Sequence, residues 1–266
     1  MKFKTRALAA AALALTVFGA QAHDLWFKPS STVLSKSDWV TVDAAVSNDV
    51  FFFNHRPLNL DAVKVTAPDG AAVEMKNVAK GELRSMFDFK PEKTGTYRVA
   101  MQMGGAMGSY KDANGQTKRL RGSVDDVVKQ MPADAKDVRV TENQRRMETF
   151  VSLGKPSAIT LTGKGLELKP VTHPNDLVAS EEATFEFHID GKPAADLELE
   201  LVADGIRYRD SVDAMKLKTD AKGQVKVKFP RAGLFWLNTD ATDNKTSVAK
   251  ATERRLSYIA TLEVLP

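Results

Sequence analysis

The sequence predicts an all-β protein made of two β-sandwich modules, immunoglobulin-like or transthyretin-like, with a partly helical or irregular insertion between them. Short runs in which apolar and polar residues alternate recur along most of the chain, and turns containing Gly, Pro or Asp separate them. The chain has no Cys, so disulfides and Cys-based zinc sites are excluded. The apolar cores alone must therefore hold the fold, for which this length suffices.

The first 22 residues have the features of a secretory signal peptide. Basic residues open the segment, an apolar run over 7–20 follows, and Ala20-Gln21-Ala22 fits the small-residue rule for cleavage. Cleavage after Ala22 would make His23 the first residue of an exported chain, periplasmic in a Gram-negative bacterium. No later segment reaches about 18 apolar residues, so we expect no membrane span after cleavage.

Residues 23–103 form the predicted N-terminal β-sandwich module. The stretch "WVTVDAAV" alternates, with Val40 and Val42 on one face and Thr41 on the other. The stretch "AVKVTAPDG" predicts a strand that ends in a Pro-Asp-Gly turn. Two further strands, joined by a Gly-containing loop, are expected in "RSMFDFKPEKTGTYRVAMQM".

Residues 104–147 form the predicted loop or helical insertion. The stretch from Gly104 to Gly122 is rich in Gly, Lys and Arg, which is typical of a long loop or a mobile segment. Ser123 followed by Asp125 and Asp126 predicts the capped start of a short helix. A strand over "METFVSLG" then leads into the next module.

Residues 148–266 form the predicted C-terminal immunoglobulin-like or transthyretin-like module. In "ATFEFHIDG", Phe185 and Phe187 share one face, and His188 is expected on the opposite face as a solvated surface residue. The stretch "DLELELVADG" repeats this alternation with its Leu residues directed inward. A Gly turn, a "FPRAG" run and a last strand complete the module.

The charge of the chain argues against a nucleic-acid partner. The formal net charge is +4, and three basic residues of the predicted signal peptide account for most of it. The remainder of the chain is close to neutral, so no basic field that would hold a phosphate backbone is expected.

His23 is the first candidate metal ligand. At the start of the exported chain its α-amine and its imidazole would sit on one Cα, and a second His would complete the three-nitrogen set of a histidine brace. Cu(II) favours such tetragonal sites and Ni(II) accepts them. Leu25, Trp26 and Phe27 follow at once and would fix the terminus in a core. The alternative is that His23 merely happens to follow the cleavage site, at a frayed end.

His55 and His173 are the other candidate metal ligands. His55 follows the aromatic run "VFFF" and precedes Pro57, so it is expected on a loop next to an apolar cluster. His173 lies in "PVTHPND", a proline-stiffened loop that suits either a ligand or an interdomain connector. The cluster of Met101, Met103 and Met107 offers thioethers that suit Cu(I), although core filling is the favoured interpretation.

Four stretches together resemble an exported bacterial family of uncharacterised function: "AHDLWFKPSSTVLS", "WVTVDAAVSNDVFFFNHRPL", "GKGLELKPVTHPNDLVA" and "FPRAGLFWLN". This is domain-of-unknown-function family 4198 (DUF4198), which is grouped with the substrate-specific components of nickel and cobalt uptake, the NikM-like periplasmic part. The resemblance implies two β-sandwich-like modules and a role in handling a transition metal outside the cytoplasm. It also implies a partner such as an outer-membrane receptor or an uptake permease.

These observations favour an exported, transition-metal-binding accessory protein that captures or delivers Ni, Co or Cu through an N-terminal histidine chelate. The cofactor would be a divalent transition metal ion, copper or nickel. Nucleophile elbow, phosphate-loop and dinucleotide motifs are missing, so a non-enzymatic role is favoured. Two alternatives stay open: a histidine-brace copper oxidoreductase and a β-sandwich module that binds no metal.

Overall fold

A computed structural model describes residues 23–266, so the predicted signal peptide and most of its cleavage site lie outside the described residues. The all-β prediction is confirmed: this range holds nineteen strands, one α-helix and one short 3-10 helix. In chain order they are β1 (Asp24–Pro29), β2 (Val33–Leu34), β3 (Val40–Ser47), β4 (Arg56–Pro57), β5 (Val63–Thr66), β6 (Ala72–Val73), β7 (Lys76–Lys80), β8 (Ser85–Phe89), β9 (Gly95–Lys111), β10 (Thr117–Gly122), α1 (Val124–Gln130), β11 (Lys136–Leu153), β12 (Leu166–Pro170), β13 (Glu182–Ile189), β14 (Lys192–Pro193), β15 (Glu198–Ala203), the 3-10 helix (Ile206–Tyr208), β16 (Met215–Lys218), β17 (Gln224–Lys228), β18 (Gly233–Asp243) and β19 (Glu253–Val264).

One long central sheet runs through the whole molecule. Its ten strands follow the order β16-β15-β18-β19-β11-β9-β5-β6, with β10 attached to β9 and β2 attached to β11. The N-terminal half and the C-terminal half of the chain meet where β11 and β19 pair in parallel, from Thr141 opposite Glu253 to Thr149 opposite Thr261. The two sandwiches are therefore joined by continuous backbone hydrogen bonding.

Two smaller sheets cover opposite faces of the central sheet. The five-stranded sheet β1-β3-β8-β7, with β4 on β3, lies on one face, and the four-stranded sheet of β12, β13, β14 and β17 lies on the other. Successive side chains of β19 point to opposite faces of the central sheet. Ile259 accordingly belongs to the first core, and its neighbours Tyr258 and Ala260 belong to the second. The predicted pair of β-sandwiches is thus confirmed, but the two cores share strands.

The predicted insertion is mostly an ordered arm. The Gly-rich stretch from Gly104 to Gly122, predicted to be a long loop or a mobile segment, instead forms the outer half of β9, a short turn and the whole of β10. β9 pairs with β10 on one side and with β11 on the other. Both predicted boundaries, at 103/104 and 147/148, fall inside strands. The helix α1 is confirmed, with the Ser123 side chain accepting a hydrogen bond from the Asp126 amide. Among residues 23–266, no helix is long and apolar enough to cross a membrane.

Candidate metal site

Side chains of the central sheet hold the free edge of β1. Trp236 Nε1 donates to the Leu25 carbonyl at 2.9 Å, and Thr261 Oγ1 donates to the Phe27 carbonyl at 2.6 Å. On its other edge β1 pairs with β3 from Asp24 opposite Ser47 onward. An edge strand whose outward carbonyls are satisfied in this way is fixed along its length. The chain is therefore anchored directly after His23.

A hydrogen-bonded loop carries His55. The Asn54 side chain accepts from the Asn48 amide at 2.9 Å and donates to the Asp49 carboxylate at 2.7 Å. β4 begins directly after His55 and pairs with β3, with Arg56 opposite Val46. The loop is thus closed by its own polar side chains at one end and by a β-ladder at the other, which positions His55 beside the end of β3.

Aromatic packing fixes the base of the same loop. The Trp26 ring meets the Phe51 ring edge-on, with centroids 5.5 Å apart, and the Phe53 ring at 5.0 Å. The Trp26 indole also donates to Ser47 Oγ at 2.7 Å. Because Trp26 and Phe51 are both buried, the loop and β1 pack together into the first core.

The structure brings His23 and His55 together. Their imidazole rings are stacked, with centroids 3.9 Å apart and planes 9° from parallel. The two residues flank the end of β3, because each precedes by one position a residue paired with that strand. Both side chains are exposed to solvent. The sequence separation of the two histidines gave no direct sign of this contact.

The stacked arrangement is compatible with a metal site only after one ring turns. An imidazole lone pair lies in the plane of its ring, and metal–nitrogen bonds are about 2.0–2.1 Å long. An ion in the plane of one stacked ring cannot also lie in the parallel plane of the other. Exposed side chains change rotamer within nanoseconds, so a turn of His55 or His23 allows both rings to face one ion.

Two electrostatic features of the pair bear on metal binding, the protonation state of His55 and the carboxylates near His23. Loss of hydration lowers the pKa of the His55 imidazole, and the nearby His23 and Arg56 lower it further, which favours the neutral form that binds metals. Burial raises the pKa of the Asp24 carboxyl to about 6, and the charges of Glu200 and Asp49 raise it further. These carboxylates therefore create a negative potential next to His23.

The donors present fit a three-nitrogen metal site only if His23 is the first residue. Among residues 23–266, no group of three or more His, Cys, Asp or Glu side chains is arranged to hold a metal ion. Two imidazoles are available at the pair, and the third nitrogen would be the His23 α-amine. In the full-length chain that nitrogen is an amide, so the donor set depends on cleavage after Ala22.

His173 is not brought to the pair. Its Nδ1 accepts from the Asn175 amide at 3.0 Å, and its Nε2 lies 3.1 Å from the Ser157 carbonyl and 3.0 Å from Thr96 Oγ1. Burial lowers the pKa of His173, against the opposing effect of Asp176. Thr96 Oγ1 contacts Ser152 Oγ, and the Ser152 amide donates to the carbonyl of Thr32, just after β1. His173 therefore lies near the end of β1 that is far from His23. Both ring nitrogens of His173 thus join loops of the fold.

The expectation that His188 is a solvated surface residue is wrong. His188 is only 7% exposed, and its Nε2 lies 2.5 Å from the Glu186 carboxylate. Alternation does place it opposite Phe187, but that face of β13 is covered as well, so both faces of the strand are buried. His188 belongs to a polar network with Glu186, Lys169 and Gln224 on the face of β13 opposite the second core.

The three methionines do not form one cluster. Met101 is 2% exposed in the first core, whereas Met107 is 54% exposed on the arm. Met103 lies between these extremes, packed against the edge of the first core. The interpretation of Met101 as a core residue is confirmed.

Several residues that shape the candidate site gave no clear signal in the sequence. Asp24 is adjacent to His23, but a single acidic residue is not a specific signal of a metal site. Glu200 and Trp236 lie more than 170 positions away from it and reach the site only because β15 and β18 pass under β1. Strand order, which alternation does not reveal, decides these contacts.

The fold and the site define a class of protein: an all-β chain of two sandwiches with an exposed pair of histidines at the anchored start of its first strand. A family model described as a domain of unknown function (DUF4198) matches residues 20–243. The chain belongs to this family. Among curated proteins, none matches the chain.

Solved structures with a weak likeness include a fragment of intimin, an alpha-2-macroglobulin and an adhesin. The D0-D1 domain of intimin is 12% identical, over 90% of this chain and 97% of its own, with a TM-score of 0.23. Escherichia coli alpha-2-macroglobulin activated by porcine elastase is 9% identical, over 90% of this chain and 30% of its own, with a TM-score of 0.22. The Yersinia pseudotuberculosis adhesin InvE is 12% identical, over 91% and 58%, with a TM-score of 0.21. At TM-scores this low, the likeness carries no functional argument.

Proposed function

We propose that the chain is exported, is processed before His23, and then binds one transition metal ion, copper or nickel, with three nitrogen atoms. These are the α-amine and the imidazole of His23 and the imidazole of His55. The observation that carries the proposal is the stacked contact of the two rings at 3.9 Å, directly before an anchored strand. We further propose that the protein captures or delivers the ion in the periplasm, as an accessory to uptake.

The chemistry of the donors supports copper or nickel. Three nitrogens in a T-shaped set suit the tetragonal geometry of Cu(II), and Ni(II) accepts it. The carboxylates of Asp24, Asp49 and Glu200 would attract a divalent cation and offset its charge. Because both rings are exposed, an ion held there remains open to exchange with a partner protein, which suits capture and delivery.

The proposal is tested by titrating Cu(II) and Ni(II) into three forms of the purified chain, in the presence of a weak competing chelator. The first form begins at His23 with a free α-amine, the second begins at His23 with that amine acetylated, and the third begins at His23 and carries His55→Ala. We expect acetylation and His55→Ala each to weaken binding by about 100-fold or more, because each removes one donor of the same chelate. Electron paramagnetic resonance of the Cu(II) form should show nitrogen ligands.

The pH dependence gives an independent measurement. The α-amine has a reference pKa of about 7.7–8.0 and the imidazole about 6.5, and each must be deprotonated to bind metal. Affinity of the form that begins at His23 should therefore rise steeply from pH 5 to pH 8, and blocking the amine should flatten the upper part of this rise. Equal affinity of the blocked and unblocked forms would refute the amine as a ligand.

A further inference from the structure

The arm leaves one face of the central sheet uncovered. α1 packs over the other face, where a Cβ built on Gly108 would lie only 2.7 Å from Val127. Val127, Met131 and Val140 form a small core there. Side chains at odd-numbered positions of β9 point away from this core, because successive residues of a strand alternate between faces. That odd face continues the face of the central sheet on which the first core lies.

Strand register collects arginines on this open face. Arg119 of β10 and Arg139 of β11 both pair with Ser109, and Arg121 pairs with Met107. Farther along the same face, Met103 pairs with Arg145. Arg255 pairs with Asn143 in the row between them. The five guanidinium groups come from β10, β11 and β19, and β19 is distant from the other two strands in the sequence.

Most of these arginines lack an acidic partner within the described chain. Arg255 contacts Glu253 at 2.6 Å, but among residues 23–266 no ion pair involves Arg119, Arg121, Arg139 or Arg145. Arg146, on the opposite face of β11, contrasts with them because it contacts both Glu148 and Glu167. Arg145 is half-buried despite having no such partner. A half-buried guanidinium favours a bound anion.

A groove of about 680 Å³ lies on this face and contains Arg121, Arg145 and Arg255 in its walls. The groove is deep at Gly105, because this residue has no side chain to fill it. A Cβ on Gly105 would meet the Gly122 carbonyl oxygen at 3.0 Å. Met103 and Met107 add apolar wall. This volume lies within the range of about 300–1,000 Å³ that is typical of small-molecule sites.

We propose that this groove binds a small organic anion carrying two or more carboxylate or phosphate groups. The fork of the Arg145 guanidinium would donate two parallel hydrogen bonds to one oxyanion, and Arg121 would donate to a second. Asp240, on another wall, accepts a hydrogen bond from Asn238 and can also accept one from a ligand hydroxyl. A hydroxylated acid therefore suits the groove. The inference does not depend on metal binding at His23 and His55.

Isothermal titration calorimetry of the metal-free chain tests this proposal with citrate as the carboxylate probe and fructose 1,6-bisphosphate as the phosphate probe, in 150 mM salt. Glucose is the neutral control. We expect at least one of the two anions to bind with one-to-one stoichiometry. Arg145→Gln should weaken that binding by about tenfold or more, since a charge-assisted hydrogen-bonded pair is lost. Arg145→Lys keeps the charge but not the planar fork of the guanidinium. Its affinity should lie between that of the parent chain and that of Arg145→Gln.

Lys129→Gln is the matched control, because Lys129 lies on α1 across the opposite face and its loss changes the net charge equally. It should leave the affinity unchanged. His23→Ala should also leave it unchanged, which separates this site from the metal site. Failure of both anions to bind, or an equal loss in Lys129→Gln and Arg145→Gln, would overturn the proposal. Thermal unfolding of each variant, followed by circular dichroism, verifies that the fold is retained.

Discussion

The four histidines of this chain occupy three different environments. His23 and His55 are exposed and stacked on each other. Protein groups contact both ring nitrogens of His173, and His188 is buried beside a carboxylate. Only the first environment leaves ring nitrogens available to a ligand. From the sequence, every histidine except His188 is a candidate metal ligand. The environment of each side chain in the structure decides which candidates have a free ring nitrogen.

Glu186 illustrates how a buried network sets a pH dependence. Burial alone would raise the pKa of its carboxyl, but hydrogen bonds from His188, Gln224 and Lys169 outweigh it and lower the pKa to about 2, from 4.5. A depressed carboxyl pKa contributes stability above the unfolded pKa, and this contribution is lost as pH falls through the folded pKa.

We therefore expect Glu186→Gln to lower the free energy of unfolding by on the order of 2 kcal/mol at pH 7. The difference from the parent chain should shrink as the pH falls from 4.5 towards 2. Urea unfolding at several pH values measures it. Glu182→Gln on the same strand is the control, because its ion pair with Lys226 is exposed to solvent and is expected to contribute little to stability. A loss for Glu186→Gln that does not change with pH would contradict the assigned ionic role.

At the scale of the element, β1 depends on its edge contacts. β3 supplies backbone pairing on one side, and Trp236 and Thr261 supply side-chain donors on the other. An unprotected edge strand at a chain terminus would fray. The position of the candidate metal site is therefore set by residues of the C-terminal half of the chain.

Trp236→Phe tests this anchoring. It keeps an aromatic ring in the core but leaves the Leu25 carbonyl without its donor, at an expected cost of about 1 kcal/mol. Hydrogen exchange over residues 24–29 should quicken about fivefold, since local opening becomes that much more favourable. Trp39→Phe is the control, because Trp39 is 52% exposed. Unchanged exchange in the Trp236 variant would show that β3 alone holds β1.

The arm shows how a glycine-rich stretch, which by composition predicts a loop, can form a long strand. Gly104, Gly105 and Gly108 all lie within β9. A side chain would clash at Gly108 and be crowded at Gly105, whereas the space at Gly104 is open. Val127 occupies the space over Gly108, and the Gly122 carbonyl limits the space at Gly105. Glycine weakens strands in isolation. Here pairing with strands on both sides compensates for that weakness.

At the scale of the whole molecule, the two cores share the strands β15, β18 and β19. Val202, Trp236 and Ile259 face the first core, while their neighbours Leu201, Leu237 and Tyr258 face the second. Unfolding either sandwich would expose the other core through the shared strands. We therefore expect residues 23–266 to unfold as one cooperative unit.

Two core truncations test this cooperativity. Phe87→Ala in the first core and Phe187→Ala in the second remove fully buried rings, and each should cost about 3 to 5 kcal/mol. In both variants, tryptophan fluorescence and far-ultraviolet circular dichroism should report one coincident thermal transition. Fluorescence reports mainly the first core, because Trp26 and Trp236 lie there. An earlier transition seen only by circular dichroism in Phe187→Ala would mean that the second sandwich unfolds alone.

The sequence by itself determined the fold class and most of the strands. Alternation is local, so the strand over Val40–Ser47, the inward Leu residues of β15 and the capped helix after Ser123 follow from neighbouring residues. The family also follows from the sequence, through its match over residues 20–243. The predicted cleavage before His23 rests on sequence alone, since those residues precede the described part of the chain.

Only the tertiary structure decided which residues meet. Strand order brought His55 to His23, sent His173 to the far end of β1, and buried His188 beside Glu186. It also aligned arginines of β10, β11 and β19 on one face. The physical reason is that alternation specifies which face a side chain takes along its own strand. The neighbouring strands, and the layer that covers that face, are set by contacts between residues far apart in the sequence.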